Sequence, residues 1–439
     1  MSFGGGTFLT ENKVLPGAYI NFVSVSKASS TVSDRGYGAM AVDLDWGPDG
    51  TIFAVEQADF QDSPEQYFGY SYTDDEMKGL RDLFLNLQTG YFYRLNGGGA
   101  KALCDYCEAK YSGTRGNKIM VSISANVDDA TTWDVETYFN GELKDSQTGV
   151  AALSDLKDND FVTWTDSAVI SATAGTYLTG GTNGTAATGA DHSKFLSLLE
   201  SYSINTLGCI STDDTIKALY YAYTKRMRDD EGAKFQCVLY NYAKANYEGV
   251  INVVSAVTDS IYPESSAVYW VTGAEASCAV NRTVGNKEYD GEFTITCETK
   301  QSALKKQINS GYFAFHEISG SETRVLKDIN SFTDYTKKKT KDFSSNQVIR
   351  VLDQWANDTA LIFEKTYLDK SQNIASSRVD LWNDLVDYSN KLADLGAIQD
   401  FNSKDITVAA GENKEDVLVN VTINPAEAME KMYMYVYVA

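Results

Sequence analysis

The sequence is poor in histidine and proline and carries fewer basic than acidic residues. Its 439 residues include two histidines and five prolines, and 38 lysines and arginines stand against 60 aspartates and glutamates. The formal net charge of -22 argues against direct nucleic-acid binding, because nucleic acids and anionic membranes attract clustered basic residues. The low proline count and a hydrophobic fraction of 43% predict a chain that is ordered nearly throughout.

Membrane-spanning segments and a disulfide framework are also missing. No stretch approaches the roughly 18 to 20 apolar residues that a membrane helix needs, and the start, MSFGGGTFLTENK, lacks the features of a signal peptide. We therefore expect no membrane insertion and a chain that is made and kept in a cytoplasm. The six cysteines are widely spread, and a reducing compartment would keep them as thiols.

The length predicts two to four domains, because a single hydrophobic core rarely serves so long a chain. Helical spacing of apolar residues over 74–87 lies among short strands, and strand-like runs separated by turns follow. Helical patterns at 191–202 and 212–228 then alternate with apolar runs such as FQCVLYNY, as in a βαβ sheet. Two long amphipathic helices are predicted at 346–367 and 377–395.

These patterns indicate a multidomain protein of the α+β and α/β classes. The predicted segments are an N-terminal arm (1–33), an α+β domain (34–103), a small all-β module (104–178), an α/β domain (179–330) and a C-terminal α+β domain (331–439) that ends in a strand arm (416–439).

The end of the chain, DVLVNVTINPAEAMEKMYMYVYVA, has the most strand-like pattern of the sequence. Side chains alternate between the two faces of a strand, and this alternation defines two strands here. The side chains that share one face are Val417, Val419, Val421 and Ile423 in the first strand, and Met432, Met434, Val436 and Val438 in the second. Tyr433, Tyr435 and Tyr437 occupy the other face of the second strand, so both of its faces can be buried. Asn424 and Pro425 predict a helical turn between the strands.

Three constellations resemble ligand sites without matching them. CDYC, at Cys104 and Cys107, has redox or zinc spacing, but a zinc site needs four ligands and no second pair exists. GGTNGTAATG lacks the Gly-Lys-Ser/Thr ending of a phosphate loop, which favours a linker or tight turn. DLDWGPDG places Asp43, Asp45 and Asp49 together but departs from the EF-hand pattern. We expect no metal site and no cofactor.

A catalytic site is not indicated either. A hydrolase needs a nucleophile and a base held by a third group, and the sequence has no G-x-S-x-G motif. His192 and His316 are therefore interpreted as surface or core residues rather than catalytic bases.

One basic cluster stands out in this acidic chain. TKKKTK contains Lys337, Lys338 and Lys339. A solvated loop is the simpler interpretation, and an electrostatic contact with an acidic neighbour is the sharper one.

Several segments, in order along nearly the whole chain, resemble contractile tail sheath proteins. They are NKVLPGAYINFVSV followed by SDRGYGAMAVDLDWGP, LTGGTNGT, NYEGVINV, VYWVTGAEASCAVNRTVGNKEYDG, RVLKDINSFTDYT and VNVTINPAEAMEKMYMYVYV. The resemblance is to sheaths of myophages and of phage-tail-like bacteriocins from Gram-positive, clostridia-like bacteria.

The resemblance implies a structural protein. In that family six subunits form a ring, rings stack helically around a tail tube, and a baseplate signal releases contraction that drives the tube through a bacterial envelope. It also implies a central subtilisin-like α/β domain without protease activity, a C-terminal domain that faces the tube and an outward β module. The implied partners are other copies of the chain, the tube protein, and baseplate and tail terminator proteins. The implied location is a virion tail or bacteriocin particle assembled in the host cytoplasm.

The resemblance further implies that terminal arms exchange strands between subunits. On this sequence the N-terminal strand falls on Tyr19, Ile20, Asn21, Phe22 and Val23, within 19–25. The C-terminal strands fall on 417–423 and 432–438. Two other classes of function stay open at this point: an enzyme that uses the glycine loop and His192, and a static surface-layer or adhesive protein.

Overall fold

The computed structural model of the chain describes residues 32–165, 168–318 and 322–438. The predicted N-terminal strand at 19–25 lies outside the described residues. The helices are α1 (Gln57–Asp62), α2 (Glu65–Phe68), α3 (Lys78–Phe84), α4 (Gly189–Leu199), α5 (Asp214–Asp229), α6 (Ala267–Ser277), α7 (Gln301–Asn309), α8 (Asn346–Thr366) and α9 (Ala375–Asp394).

The strands are β1 (Tyr37–Val42), β2 (Ile52–Glu56), β3 (Thr89–Arg94), β4 (Lys101–Leu103), β5 (Cys107–Ser112), β6 (Ile119–Ala125), β7 (Trp133–Phe139), β8 (Glu142–Val150), β9 (Val162–Trp164), β10 (Thr173–Tyr177), β11 (Thr206–Cys209), β12 (Gln236–Tyr240), β13 (Val250–Val253), β14 (Val257–Thr258), β15 (Thr294–Ile295), β16 (Tyr312–Phe313), β17 (Phe315–Ile318), β18 (Glu322–Val325), β19 (Ile406–Ala410) and β20 (Val417–Val421).

The contacts between residues divide the chain into two compact units. The larger unit contains Ser33–Gln354, Leu395–Gln399 and the described part of the C-terminal segment from Pro425.

A seven-stranded sheet organises the larger unit. Its order is β16-β13-β12-β11-β1-β3-β2, and every pair is parallel except β2 with β3. Helices cover both faces, since Met40 and Val42 of β1 pack into the core that contains α3 and α6, whereas Ala39 and Ala41 pack with α4 and α5. This two-sided burial is typical of parallel sheets, whose strands are apolar throughout.

The continuous sheet joins two segments that the sequence analysis assigns to different domains. Segments 34–103 and 179–330 were expected to be separate domains, yet β1 pairs with β3 on one side and with β11 on the other. The backbone ladder therefore joins the two segments into one layer. The sequence gives no local signal for this, because the pairing strands are separated by the whole inserted β module.

The β module is a sandwich of two antiparallel sheets, β10-β6-β7-β8 and β4-β5-β9. Alternate residues of β6, Ile119, Val121 and Ile123, point into a core that also contains Cys107 and Val162. Period-2 burial of this kind is what an antiparallel sheet with one solvated face requires. The strands begin at Lys101, three residues before the predicted start of the module at 104.

The second compact unit contains Trp355–Asp394, Asp400–Asn424 and Val32 among the described residues. It holds most of α8, all of α9 and the β19–β20 hairpin. The Tyr388 hydroxyl donates a hydrogen bond of 2.6 Å to Asp358, and both side chains are buried. The division by contacts differs from the predicted C-terminal domain, 331–439, because residues 331–354, 395–399 and 425–438 contact mainly the larger unit.

Candidate assembly interface

The C-terminal segment is attached to the larger unit over its first residues. Pro425 forms an antiparallel bridge with Ile398, and the Ala426 N–H donates to the Ala397 carbonyl at 2.9 Å. The Ala428 N–H donates to Gln347 Oε1 at 3.1 Å. These bonds hold the backbone in an extended course, so the helical turn predicted after Asn424 is wrong.

An ion pair marks the end of this attachment. Lys327 Nζ lies 2.6 Å from Glu430 Oε2, and both side chains are partly exposed. Within the part of the chain that the structure describes, no hydrogen bond or ion pair involves residues 431–438. No local sequence pattern predicts this anchor, because Lys327 and Glu430 are 103 residues apart in the chain.

The strand predicted at 432–438 is not hydrogen-bonded to another strand among the described residues. The described residues 432–438 form no strand, and their side chains face solvent on all sides. The exposed fractions are Met432 80%, Tyr433 84%, Met434 66%, Tyr435 85%, Val436 74%, Tyr437 91% and Val438 94%. A contiguous apolar segment with unpaired backbone is an open template for strand pairing.

The other predicted C-terminal strand exists within the chain. Val417 to Val421 form β20, which pairs with β19 in an antiparallel register that sets Val419 opposite Val408. The predicted alternation is confirmed, since Val417, Val419 and Val421 are partly buried and Leu418 is 53% exposed. Ile423 lies just beyond the strand. Because the hairpin has two strands only, each strand keeps one edge without a partner in the described residues.

The three lysines of the basic cluster differ in their contacts. Lys339 forms an ion pair with Glu248 and lies over the Tyr247 ring. Lys337 and Lys338 are exposed. Of these three lysines, Lys337 and Lys338 form no ion pair within the described residues, whereas Lys339 does although its side chain is still 41% exposed.

Neither histidine occupies a site suited to catalysis. His192 is buried in α4, its Nδ1 lies 3.0 Å from the Tyr220 hydroxyl, and burial lowers its pKa. His316 stands on β17 opposite Arg324, and partial burial lowers its pKa as well. Their placement agrees with the interpretation of both as core or surface residues.

The glycine loop connects the sheet with the sandwich. The Gly184 N–H donates to the Asn96 carbonyl at 2.9 Å, and a Cβ on Gly184 would lie 1.7 Å from the Gly97 oxygen. A Cβ on Gly99 would lie 1.9 Å from the Thr182 oxygen. Two connecting segments thus run backbone against backbone, which explains the glycines without a phosphate ligand.

Asp45 and Asp49 of DLDWGPDG accept hydrogen bonds within the fold, Asp49 from the Gly98 N–H, whereas Asp43 is exposed. Asp45 accepts hydrogen bonds from the Tyr70 hydroxyl and from Asn183 Nδ2. The Cys104 and Cys107 sulfurs lie 3.7 Å apart as free thiols. Among the described residues no group of three or more potential metal ligands occurs, and no helix is both long and apolar enough to cross a membrane.

Three family models match successive parts of the chain. Residues 97–183 match the phage tail sheath protein beta-sandwich domain, 185–331 the central domain and 338–439 the C-terminal domain. The chain is also 32% identical to the phage-like element PBSX protein XkdK of Bacillus subtilis, with 99% of each chain covered. The chain belongs to the phage tail sheath protein family.

Solved structures of sheath proteins share the fold. The sheath tail protein of Desulfitobacterium hafniense is 34% identical, with a TM-score of 0.79 over 95% of this chain and 99% of the other. That of Listeria innocua is 29% identical, with a TM-score of 0.80 over 93% and 97%. The contracted helical sheath of the anti-feeding prophage is 12% identical with a TM-score of 0.59 over 97% and 99%, a likeness of fold alone. This sheath protein is therefore a structural subunit of the tail of a phage or phage-like particle, with a mixed α+β multidomain fold.

Proposed function

We propose that this sheath protein polymerises with itself and contracts. Six subunits form a ring, and rings stack helically around a tail tube in an extended state of high free energy. A signal from the baseplate releases contraction, which drives the tube through a bacterial envelope. Such a device needs two packings of the same subunits and connections that persist between them.

The solvent-exposed segment 432–438 carries this proposal. Its side chains are apolar on both faces and unburied, and its backbone has no partner among the described residues. Fully burying a valine or methionine side chain contributes about 1.5–3 kcal/mol, and strand addition supplies directional main-chain hydrogen bonds as well. Pairing with a neighbouring subunit satisfies both requirements.

The anchor at Glu430 defines where the arm leaves its own subunit. Backbone bonds at Ala426 and Ala428 and the Lys327–Glu430 pair hold the chain up to this point. An arm attached at one end lets the body rotate while its strand stays in the neighbour's sheet. The free edges of the β19–β20 hairpin are the acceptors we propose, together with the predicted N-terminal strand 19–25.

The finer assignments follow from membership of the family. We propose that the tube protein, the baseplate and the tail terminator are the partners, that the unit with α9 faces the tube and that the β sandwich faces outward. Assembly takes place in the host cytoplasm, and the chain catalyses no reaction. The buried position of His192 against Tyr220 supports this last point over the enzyme hypothesis.

Negative-stain electron microscopy of purified protein tests the proposal. The full-length chain at high concentration is expected to form hollow helical tubes or stacked rings. A chain truncated after Lys431 should remain folded and soluble but fail to polymerise. Full-length particles that stay strictly monomeric, or truncated chains that build normal tubes, would contradict the proposal.

A point variant in the arm and a matched control variant distinguish a specific effect of the arm from a general effect of an added charge. Val436→Asp places a charge within the arm at a valine that is 74% exposed, whereas Val127→Asp changes a valine in the sandwich that is 96% exposed. Only the first substitution should abolish tubes. Equal effects of the two would mean that the arm has no special role.

A further inference from the structure

The Cys104–Cys107 pair lies at a tight turn of the β sandwich. β4 ends at Leu103 and β5 begins at Cys107, and the Cys104 N–H donates to the Cys107 carbonyl at 2.9 Å. The two sulfurs are 3.7 Å apart. The ends of a four-residue turn lie within about 7 Å, the range that a disulfide spans. Side-chain rotation alone can therefore bring the sulfurs to the bonding distance of about 2.0 Å.

The turn is held in this geometry from both sides. The Thr165 N–H donates to the Tyr106 carbonyl at 3.0 Å, and the Tyr106 hydroxyl lies 3.0 Å from Ser171 Oγ. Cys107 itself pairs with Trp164 in the β5–β9 ladder. None of these pairings involves either sulfur atom.

The two thiols differ in exposure and in chemistry. Cys104 is partly exposed, whereas Cys107 is buried in the sandwich core. The hydrogen bond with the Cys107 sulfur, aided by the N–H groups of Tyr106 and Cys107, lowers the pKa of Cys104. The same bond, with burial, raises the pKa of Cys107. Cys104 thus has the features of an attacking thiolate and Cys107 those of a resolving thiol.

The other four cysteines have the opposite character. Cys209 and Cys237 are buried in the sheet, and burial raises the pKa of each. Cys278 and Cys297 are partly exposed, and burial raises their pKa as well. They serve as internal references for the reactivity of Cys104.

We propose that Cys104 and Cys107 are a reversible redox pair, which is reduced in the cytoplasm and closes to a disulfide when the particle meets an oxidising exterior. The oxidant is a low-molecular-weight disulfide. The Cys104 thiolate attacks one of its sulfurs, forms a mixed disulfide and expels one thiolate. The Cys107 thiol gives its proton to that thiolate and attacks the Cys104 sulfur, and a second thiolate leaves and takes up from water the proton that Cys104 released when it ionised. The protein loses two electrons and two protons, and one small disulfide becomes two thiols.

Mass spectrometry of the full-length protein tests this pair. Trypsin cleavage after Lys101 and Lys110 releases a peptide that contains both cysteines and no others. Reduced protein is exposed to oxidised glutathione, quenched with acid, alkylated with iodoacetamide and digested. The peptide should appear two hydrogen atoms lighter and without alkyl groups, and reducing agent should restore two alkylation sites.

Reaction rates and variants complete the test. In the reduced native protein, Cys104 should alkylate at least about tenfold faster than Cys278 or Cys297 near pH 7, because the thiolate is the reactive form. Cys107→Ser should stop at a mixed disulfide with glutathione on Cys104, and Cys104→Ser should leave Cys107 unmodified. If either variant misfolds, the mass of the wild-type peptide and the alkylation rates of the wild-type cysteines still test the proposal.

Two results would overturn the proposal. One is a wild-type peptide that keeps two alkylation sites under conditions that fully oxidise the same peptide after denaturation. The other is a mixed disulfide on Cys104 that never resolves to the ring. The cellular setting rests on the proposed function, but the chemistry of the pair does not, since the experiment gives the same result in a subunit that does not polymerise.

Discussion

Arg350 Nη2 lies 2.5 Å from Glu275 Oε2, and each side chain is 1% exposed. Arg350 comes from the first turns of α8 and Glu275 from α6, and Asp328 joins them at 3.4 Å. A second pair, Arg228 with Asp353, repeats the arrangement at 2.5 Å. Charges removed from water in this way are tolerated only when paired, so the start of α8 is fixed to the larger unit.

Removing one partner should therefore destabilise the larger unit strongly. Arg350→Met leaves buried carboxylates without their cation, and we expect a loss of about 3–5 kcal/mol in the free energy of unfolding. Chemical denaturation followed by fluorescence measures it. Arg324→Met is the control. Arg324 pairs with partly exposed glutamates, so its replacement should lower the free energy of unfolding by less than about 1 kcal/mol. Equal losses for the two variants would contradict this account of the buried pair.

Asp82 predicts a pH dependence of stability. The carboxyl is fully buried, and this burial raises its pKa to about 6, although the Tyr289 hydroxyl and the Glu292 N–H both donate to it. The folded chain keeps a proton that the unfolded chain releases near pH 4. Stability should therefore fall as the pH rises from about 4 to about 6, by about 3 kcal/mol in total.

Asp82→Asn should remove this dependence. The difference in unfolding free energy between variant and wild type is expected to shift in favour of the variant by about 3 kcal/mol between pH 4 and pH 7. Urea titrations at several pH values measure it. Asp59→Asn, at an exposed position of α1, controls for the loss of one negative charge. Parallel curves for Asp82→Asn and wild type would show that the buried carboxyl does not titrate in this range.

The connecting segments should not tolerate a side chain at Gly184. A Cβ there would lie 1.7 Å from the Gly97 oxygen, so Gly184→Ala must push the two backbones apart. We expect a cost of about 1–3 kcal/mol. Gly189→Ala is the matched control, since its nearest neighbours are 3.8 Å away at the start of α4, and alanine there gains up to about 1 kcal/mol. Denaturation midpoints that move equally for both would contradict the close approach.

Sequence periodicity predicts the helices that have one buried face. The expected helices at 212–228, 346–367 and 377–395 match α5, α8 and α9 within two residues at each end. α6 gives no such signal, because ten consecutive residues from Ala267 to Ala276 are buried and the helix has no exposed face over this length. Periodicity reports a contrast between faces, and a helix buried all round has none.

Long-range relations are the part that sequence reasoning misses. The shared sheet of β1, β3 and β11 joins strands on both sides of an inserted sandwich, and no local pattern encodes that pairing. No local pattern predicts the ion pair between Lys327 and Glu430 either. The alternation in 432–438 predicts a strand, and these residues have no strand partner within the part of the chain that the structure describes.

Lys337 and Lys338 predict a salt-dependent contribution to assembly. Both are exposed, whereas Lys339 forms an ion pair with Glu248. Replacing Lys337 and Lys338 with glutamate should lower the polymer fraction in sedimentation at low ionic strength, with little difference left at high salt, because screening shortens to about 3 Å at 1 M. Lys305 and Lys306, an exposed pair on α7, form the matched control. If reversal of either pair has the same effect, only net charge matters.

Hydrogen exchange of residues 432–438 tests the central claim most directly. Peptides from this segment are compared in the monomer and in polymers that electron microscopy has verified, with the exposed loop at 126–131 as an internal reference. The account predicts unprotected amides in the monomer and at least about 100-fold slower exchange in the polymer, because the strand gains main-chain partners from a neighbouring subunit. Equally fast exchange of the segment in both states would contradict it.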